Sequence, residues 1–351
     1  MGKTKTRILV VSQAGPFCVL RALHNLHYEI YVLGTGAKLI ALSRLCKKYF
    51  HFDLKSNKDL VETVQRICAK YKIEIIFPIE VPLVITLNKN HHRIHTKVFP
   101  SADHHILAML NNKWRFFQTL RKLQFSTPKT ILVKSLNDLQ SVSFKKPYII
   151  KPLEESGGRG VCKITNQNDL EQYSNTYIQS HQFPYVMQEF IEGHDVSVGM
   201  LAKEGNVLAW EVHRWVGSAQ VDFLDHKAAR ILVERFVRTI KYTGLINFDM
   251  RIDTKNNIYF LECNPRVWAS LHMAMLAGVN FIQIALQINS ETVVGMKNTS
   301  YVAPKQIVKM AVTNPMSLRN ISRISYKDFF DAISDGVPYV LERLPFQKKT
   351  L

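Results

Sequence analysis

The stretch LINFDMRIDTKNNIYFLECNPR, Leu245–Arg266, reads as two strands around a turn. Asn247 and Asp249 stand two apart in the first strand, and Glu262 and Asn264 two apart in the second, so each pair projects to one side. Asn256 and Asn257 supply the turn and predict antiparallel pairing. If the pairing brings Asp249 and Glu262 together, two buried carboxylates with an amide oxygen beside them are costly unless neutralised. Hard oxygen donors of this kind suit Mg²⁺, or Mn²⁺ in its place, a cation that keeps several waters and leans on phosphates. The plain alternative is that Asp249 accepts backbone hydrogen bonds and Glu262 pairs with Arg251 or Arg266.

Upstream, KPYIIKPLEESGGRGVCKI, Lys146–Ile164, is an apolar run, a glycine-rich turn and a second apolar alternation. Gly157, Gly158, Arg159 and Gly160 can turn several N–H groups toward one centre, which suits an anion such as a phosphate. Glycine turns also simply join strands. Lys151 at the end of the entering strand and Lys113 in the preceding basic helix each offer a point charge to a phosphate, although either is also an ordinary solvated lysine.

Further out, TRILVVSQA, FCVLRALHNL and YEIYVLG give strand, helix and strand, with Gly15 as the break. This is a parallel βαβ unit with a right-handed crossover. DLVETVQRICAKYK continues as a helix, IEIIFPI and TKVFP as strands, and no GxGxxG follows the first strand. After Asn111 come a basic helix, a strand, the glycine turn, the helix NQNDLEQYSNTYIQS and the strand YVMQEFI. VSVGMLA and NVLAWEVHRW then read as an antiparallel pair. KAARILVERFVRTIKYT carries Ile231, Leu232, Phe236, Val237 and Ile240 at helical spacing, and WASLHMAMLAGV is a further helix. One helix around YKDFFDAI precedes a tail ending in QKKTL. The expected domains are 1–105, 106–192, 193–300 and an extension over 301–351. The fold class is α/β, an N-terminal parallel sheet followed by two α+β lobes.

The balance of 46 Lys and Arg against 28 Asp and Glu, a formal charge of +18, favours anionic partners without choosing among them. Five cysteines, widely spaced and without a CxxC pair, argue for neither a disulfide framework nor a zinc site and fit a reducing cytoplasm. The first residues lack the apolar core of a secretory signal, and no run approaches ~18 apolar residues. No aromatic-interleaved basic motif, zinc finger or helix-turn-helix supports sequence-specific nucleic-acid reading. A peripheral membrane contact and a homodimer stay open. The histidines of NKNHHRIH and DHH show no paired metal spacing and read as surface or loop groups.

From Asn111 to about Gly278 these motifs, taken in order, resemble the ATP-grasp enzymes, in which ATP lies between two α+β lobes. The resemblance implies that Lys113 and Lys151 contact phosphates and that EESGGRGV, with Gly157, Gly158, Arg159 and Gly160, closes over them. It implies that Glu189 and the backbone at Phe190 and Ile191 meet adenine, with Asp195, in preference to Glu192, at the ribose. Asp249, Glu262 and Asn264 match metal ligands, and Arg266 the group beside the transferred phosphoryl, with Lys151, Gly158 and Gly160 assisting catalysis. The implied activity is ATP-dependent ligation of a small carboxylate to an amine through an acyl phosphate. A kinase of the same fold and a regulatory ATP-binding protein with an anionic partner are the alternatives. The segment after WEVHRW is shorter than in many relatives, which leaves His213, Arg214 and Gly217 as candidate lining groups. Trp268 and His272 either line an acceptor pocket or, for Trp268, anchor a helix in the core. The loop SQAGPF is a further candidate for the cleft, since ligands sit beyond the carboxyl ends of parallel strands.

Overall fold

The computed structural model describes residues 5–13, 17–24, 26, 28–35, 38–52, 57–141, 147–155, 157–178, 183–217, 219–286, 293–296 and 298–335. Part of the SQAGPF loop and the tail beyond 335 lie outside them. The described residues form two compact units, each discontinuous in sequence. One draws on 1–104, 198–247 and 266–351, the other on 105–197 and 248–265.

The first unit begins with β1 (Arg7–Ser12), α1 (Phe17–His24), β2 (Glu29–Gly34), β3 (Lys48–His51), α2 (Asn57–Tyr71), β4 (Ile75–Pro78), α3 (Val81–Lys89) and β5 (Lys97–Val98). The sheet order is β3-β2-β1-β4-β5, with every pairing parallel. The near-continuous apolar runs of β1 and β2 follow from burial on both faces. Ile8, Val10, Ile30 and Val32 pack with Val19, Leu20 and Leu23 of α1. Leu9, Val11, Tyr31 and Leu33 point the other way, to Leu60, Val61 and Val64 of α2. The expected βαβ unit is present. The sequence reading had missed β3 and α3, the latter opening with Pro82 near its N-terminus.

The second unit takes in α4 (His104–Asn111), α5 (Lys113–Lys122), β6 (Thr130–Val133), α6 (Leu136–Ser141), β7 (Tyr148–Pro152), β8 (Cys162–Ile164), α7 (Gln167–Thr176) and β9 (Tyr185–Glu189). Its antiparallel sheet has the order β6-β9-β7-β8. Tyr148, Ile150, Tyr185 and Met187 face Leu170 and Tyr173 of α7. Lys151 is the next residue after Ile150, so strand alternation turns it to the opposite face. Asn166 and Asp169 form a reciprocal capping box at the start of α7.

The chain continues with β10 (Gly193–Lys203), β11 (Asn206–Val216), β12 (Gln220–Phe223), α8 (Lys227–Thr239), β13 (Gly244–Asp253) and β14 (Ile258–Asn264). It ends with α9 (Leu271–Leu276), α10 (Phe281–Leu286), β15 (Val294–Gly295), β16 (Thr299–Val302), α11 (Pro304–Thr313) and α12 (Arg323–Asp335). In the first unit the order is β10-β11-β12-β16, with β15 beside β11. In the second, β14 lies beside β13. Asp253 N donates to Asn257 O at 3.0 Å and Asn256 N to Asp253 O at 3.0 Å, closing the expected turn.

Helices α8, α9 and α11 differ from expectation. The buried face of α8 is Ala229, Val233, Phe236 and Val237, while Ile231 is exposed; the apolar stripe is shifted around the helix. The helix expected from Trp268 starts only at Leu271, and α11 was not foreseen.

Candidate functional site

Within the second unit, α5 is fixed at its first residue. The Asn112 side chain accepts from Arg115 N at 3.1 Å, an N-cap that frees the next turn to be helical. Asn112 also donates to Glu154 at 2.9 Å, and Lys113 N donates to Leu153 O at 2.9 Å. Phe116 meets Phe248 and Phe260, and Phe125 meets Phe260, with ring centroids 5.7–6.2 Å apart, while Phe248 and Phe260 are 5.5 Å from each other. This aromatic contact sets the basic helix against the strands that carry Asp249 and Glu262.

On that scaffold the two lysines are 6% and 5% exposed, Lys113 and Lys151 respectively, which rules out the solvated reading of either. Lys113 Nζ lies 3.5 Å from Glu262 and donates to Glu155 O at 2.6 Å, just before the glycine turn. Lys151 Nζ donates to Leu261 O at 3.2 Å. Burial pushes its ammonium down to about 8, Lys113 adds to the depression, and Glu262 and Asp249 act against it. Two ammonium groups are thus held out of water beside two carboxylates.

Asp249 accepts from Ser197 Oγ at 2.8 Å and from Asn264 Nδ2 at 3.3 Å. Glu262 is paired with Lys113, so neither Arg251 nor Arg266 takes the role the plain alternative gave it. Two carboxylates and an amide, all hard and half-buried, match a small divalent cation.

Gly157, Gly158 and Gly160 have φ of 69°, 75° and 67°, the left-handed region that side-chain-bearing residues avoid. Tyr173 Oη donates to Gly160 O at 2.7 Å, and a Cβ on Gly160 would meet the Tyr177 ring at 2.3 Å. Arg159 is exposed and paired with Glu155 at 3.0 Å.

Arg251 is the residue that sequence reasoning missed here. Its Nε donates to Ile191 O at 2.8 Å, and its Nη1 to Asp195 at 2.7 Å. Its guanidinium also lies 5.2 Å from the Phe190 ring, which Lys163 covers at 3.7 Å. One arginine therefore fixes three of the positions expected to face a nucleoside. Its place two residues after Asp249 on the same strand face was the available signal. Glu189 is held at its backbone and its carboxylate by Lys129, at 2.8 and 3.3 Å.

The first unit holds the other candidates. Arg266 donates to Val267 O at 2.6 Å. His213 is not a lining group: it is buried between Glu211, at 2.8 Å from Nδ1, and Ser270, at 3.0 Å from Nε2. This Ser–His–Glu order mimics a nucleophilic triad, yet all three residues are under 3% exposed, so the trio is a brace. Arg214 pairs with Asp222 at 3.3 Å, and Gly217 lies in an exposed turn. Trp268 is in the core against Phe281, at 5.1 Å between centroids, as its alternative reading had it, and His272 is buried. In the N-terminal sheet the strand order reverses between β1 and β4, and there Glu80 accepts from Ser12 Oγ at 2.8 Å and Gln13 N at 3.0 Å. A carboxylate at the crossover point was not singled out from sequence.

Two family models match overlapping parts of the chain. The prokaryotic glutathione synthetase ATP-grasp domain matches residues 118–221, and the ATP-grasp family of the biosynthetic pathway with Ter operon matches residues 181–315. The chain belongs to the ATP-grasp superfamily. This ATP-grasp protein is 26% identical over 195 residues to the carbamoyl phosphate synthase large chain of Agathobacter rectalis, covering 49% of this chain and 18% of that one. It is 25% identical over 160 residues to the D-alanine–D-alanine ligase of Aquifex aeolicus, covering 41% and 55%. It therefore spans only part of either relative's length. Among solved structures, N5-carboxyaminoimidazole synthetase from Staphylococcus aureus complexed with ADP superposes with a TM-score of 0.69 at 16% identity, over 90% of this chain and 88% of that one. That likeness extends the fold of this ATP-grasp protein across both units.

Proposed function

We propose that the chain spends ATP to join a small carboxylate to an amine, releasing ADP and phosphate. The observation that carries this reading is the convergence of two buried lysines, Lys113 and Lys151, with Glu262, Asp249 and Asn264 in one unit. The two ammonium groups and the two carboxylates balance in charge, and a divalent cation held by the carboxylates would leave both ammonium groups to meet a triphosphate.

In this reading Lys113 and Lys151 hold the β- and γ-phosphates and offset the charge that spreads over the transferred group. Asp249, Glu262 and Asn264 hold Mg²⁺ or Mn²⁺, which when bound polarises the phosphoryl oxygens. The turn Gly157–Gly160 covers the phosphates and limits attack by water. Arg251 fixes Ile191, Phe190 and Asp195 for the adenosine end. A carboxylate oxygen attacks the γ-phosphorus as the bond to ADP breaks. The amine then attacks the acyl carbon, phosphate leaves with the bonding pair, and the amine gives up a proton. Arg266 is assigned to the acyl phosphate. A reducing cytoplasm is the setting that suits the cysteines.

The test is a screen of amino acids and small acids, in pairs, for ADP release with mass identification of the product. ADP is expected only with the right carboxylate. Equal ATP hydrolysis under every condition would count against ligation, and a stable phosphorylated product formed without an amine would make the protein a kinase. Glu262→Gln should abolish ADP formation while far-ultraviolet dichroism keeps the folded signature; full turnover in that variant would remove Glu262 from the mechanism.

A further inference from the structure

The last helices of the first unit expose more apolar surface than their packing requires. α11, the 3-10 turn Pro315–Asn320 and α12 close over a small core of Val302, Ile307 and Ile321. Pointing outward are Val308, Val312, Met316, Phe330 and Ile333, at 54%, 80%, 64%, 64% and 58% exposure. Among them stand Lys305, Lys309, Arg319, Arg323 and Lys327, all exposed. The acids nearby do not balance these. Asp328 is buried, accepting from Arg21 at 2.8 Å and from Tyr301, and Asp335 is buried on Ser43 Oγ and Arg44 N. Only Asp331 remains on the surface of α11, the turn and α12. Along α11, Lys305, Val308, Lys309 and Val312 recur at helical spacing, and Arg323, Lys327 and Phe330 do so along α12. Cation and hydrocarbon thus share each exposed stripe.

We propose that this helical segment docks on an anionic phospholipid surface, its apolar side chains entering the headgroup–acyl boundary and its cations meeting lipid phosphates. The chemistry separates this partner from the others. Aliphatic side chains find nothing to pack on along a sugar–phosphate backbone, where stacking rings would be expected. A two-fold contact with a second copy would press like-charged faces together. Side chains protruding as far as Val312 need no shaped pocket when the acceptor is fluid hydrocarbon. Among the described residues no helix is long and apolar enough to cross a membrane, so the contact is interfacial.

The experiment is co-sedimentation of the full chain with vesicles of phosphatidylcholine alone and with about one third phosphatidylserine. Binding to the anionic vesicles is expected to be about tenfold tighter or more, since each lysine or arginine near such a surface contributes about fivefold, and to fall steeply with salt. Val312→Ser/Met316→Ser/Phe330→Ser, which leaves the charge unchanged, should lose about tenfold by removal of the inserted hydrocarbon. Lys309→Glu/Lys327→Glu should also weaken binding, whereas Lys70→Glu/Lys89→Glu, an equal change of charge on exposed lysines of the N-terminal sheet region, should not. Equal binding to both vesicle types, undiminished binding of the serine variant, or equal loss in the two glutamate variants would overturn the assignment. So would self-association in sedimentation equilibrium without lipid that the serine substitutions abolish, which would assign the face to a second copy.

Discussion

In buffer containing EDTA, so that no divalent cation enters, ADP is expected to bind more weakly as pH rises from 7.5 to 9. The charge on Lys151, assigned to the phosphates by the proposed function, is lost in that range, because burial has pulled its ammonium down to about 8 while Glu262 and Asp249 only partly restore it. If only the charged form binds, the apparent Kd scales as one plus the ratio of neutral to charged lysine, which weakens binding about eightfold over this interval, or about 1.2 kcal/mol. The nucleotide's own phosphate ionisation is essentially complete above pH 7.5, its second pKa being about 6, so the slope belongs to the protein. Titration calorimetry in two buffers of different ionisation heat should also show a proton taken up on binding at pH 8.5. The stability of the free protein moves oppositely. The folded pKa lies below the unfolded one, so the unfolded chain binds more protons between pH 8 and 10.5, and stability should rise with pH there by up to about 3 kcal/mol. A Kd flat from pH 7.5 to 9, or a slope that persists in Lys151→Met, would refute the reasoning.

Arg251→Ala should weaken ADP binding about tenfold, since a charge-assisted pair with Asp195 and the bond to Ile191 O are lost together; fluorescence titration checks this, and an unchanged Kd would show that the nucleoside does not use those positions. Gly160→Ala places a side chain at φ 67° against Tyr177 and should lower the unfolding free energy by about 1–3 kcal/mol, read from denaturant midpoints, with Gly157→Ala milder because its Cβ would enter open space. Asp328→Asn leaves Arg21 without its buried counter-charge and should cost about 3–5 kcal/mol, visible as a drop in unfolding temperature; Arg21→Met with Asp328→Leu should recover much of it.

The fold was legible where period and burial agree. β1 and β2 are apolar on both faces because both faces are covered, and the turn at Asn256-Asn257 declared itself through residue type. The convergence of Asp249, Glu262 and Asn264 was legible from spacing along short strands, because alternation carries direct geometric information, whereas Lys113, on a helix, was brought to them only by the resemblance to ATP-grasp enzymes. Arg251 could not be assigned, since its partners Ile191 and Asp195 lie far off in sequence and a surface arginine has many candidate acids. His213 was misjudged because Ser270, which together with the neighbouring Glu211 closes on it, lies far off in sequence. The shift of α8 toward Ala229 and Val233 reflects a small residue taking the buried position where a larger neighbour, Ile231, was expected. α11 escaped notice because Pro304 reads as a break, although at the first helical position its missing N–H is no loss.

The second unit is threaded twice: the chain leaves it after Ser197 and re-enters at Phe248. During synthesis, Lys113 and Lys151 therefore emerge long before the strands that bring Asp249, Glu262 and the rings of Phe248 and Phe260. A nascent chain halted between these two passages holds both lysines but neither their counter-charges nor the aromatic support of α5. Under the proposed function, phosphate affinity is expected to be a late event in the life of each molecule, after residue 265 has cleared the ribosome, and chains terminated earlier are expected to consume no ATP.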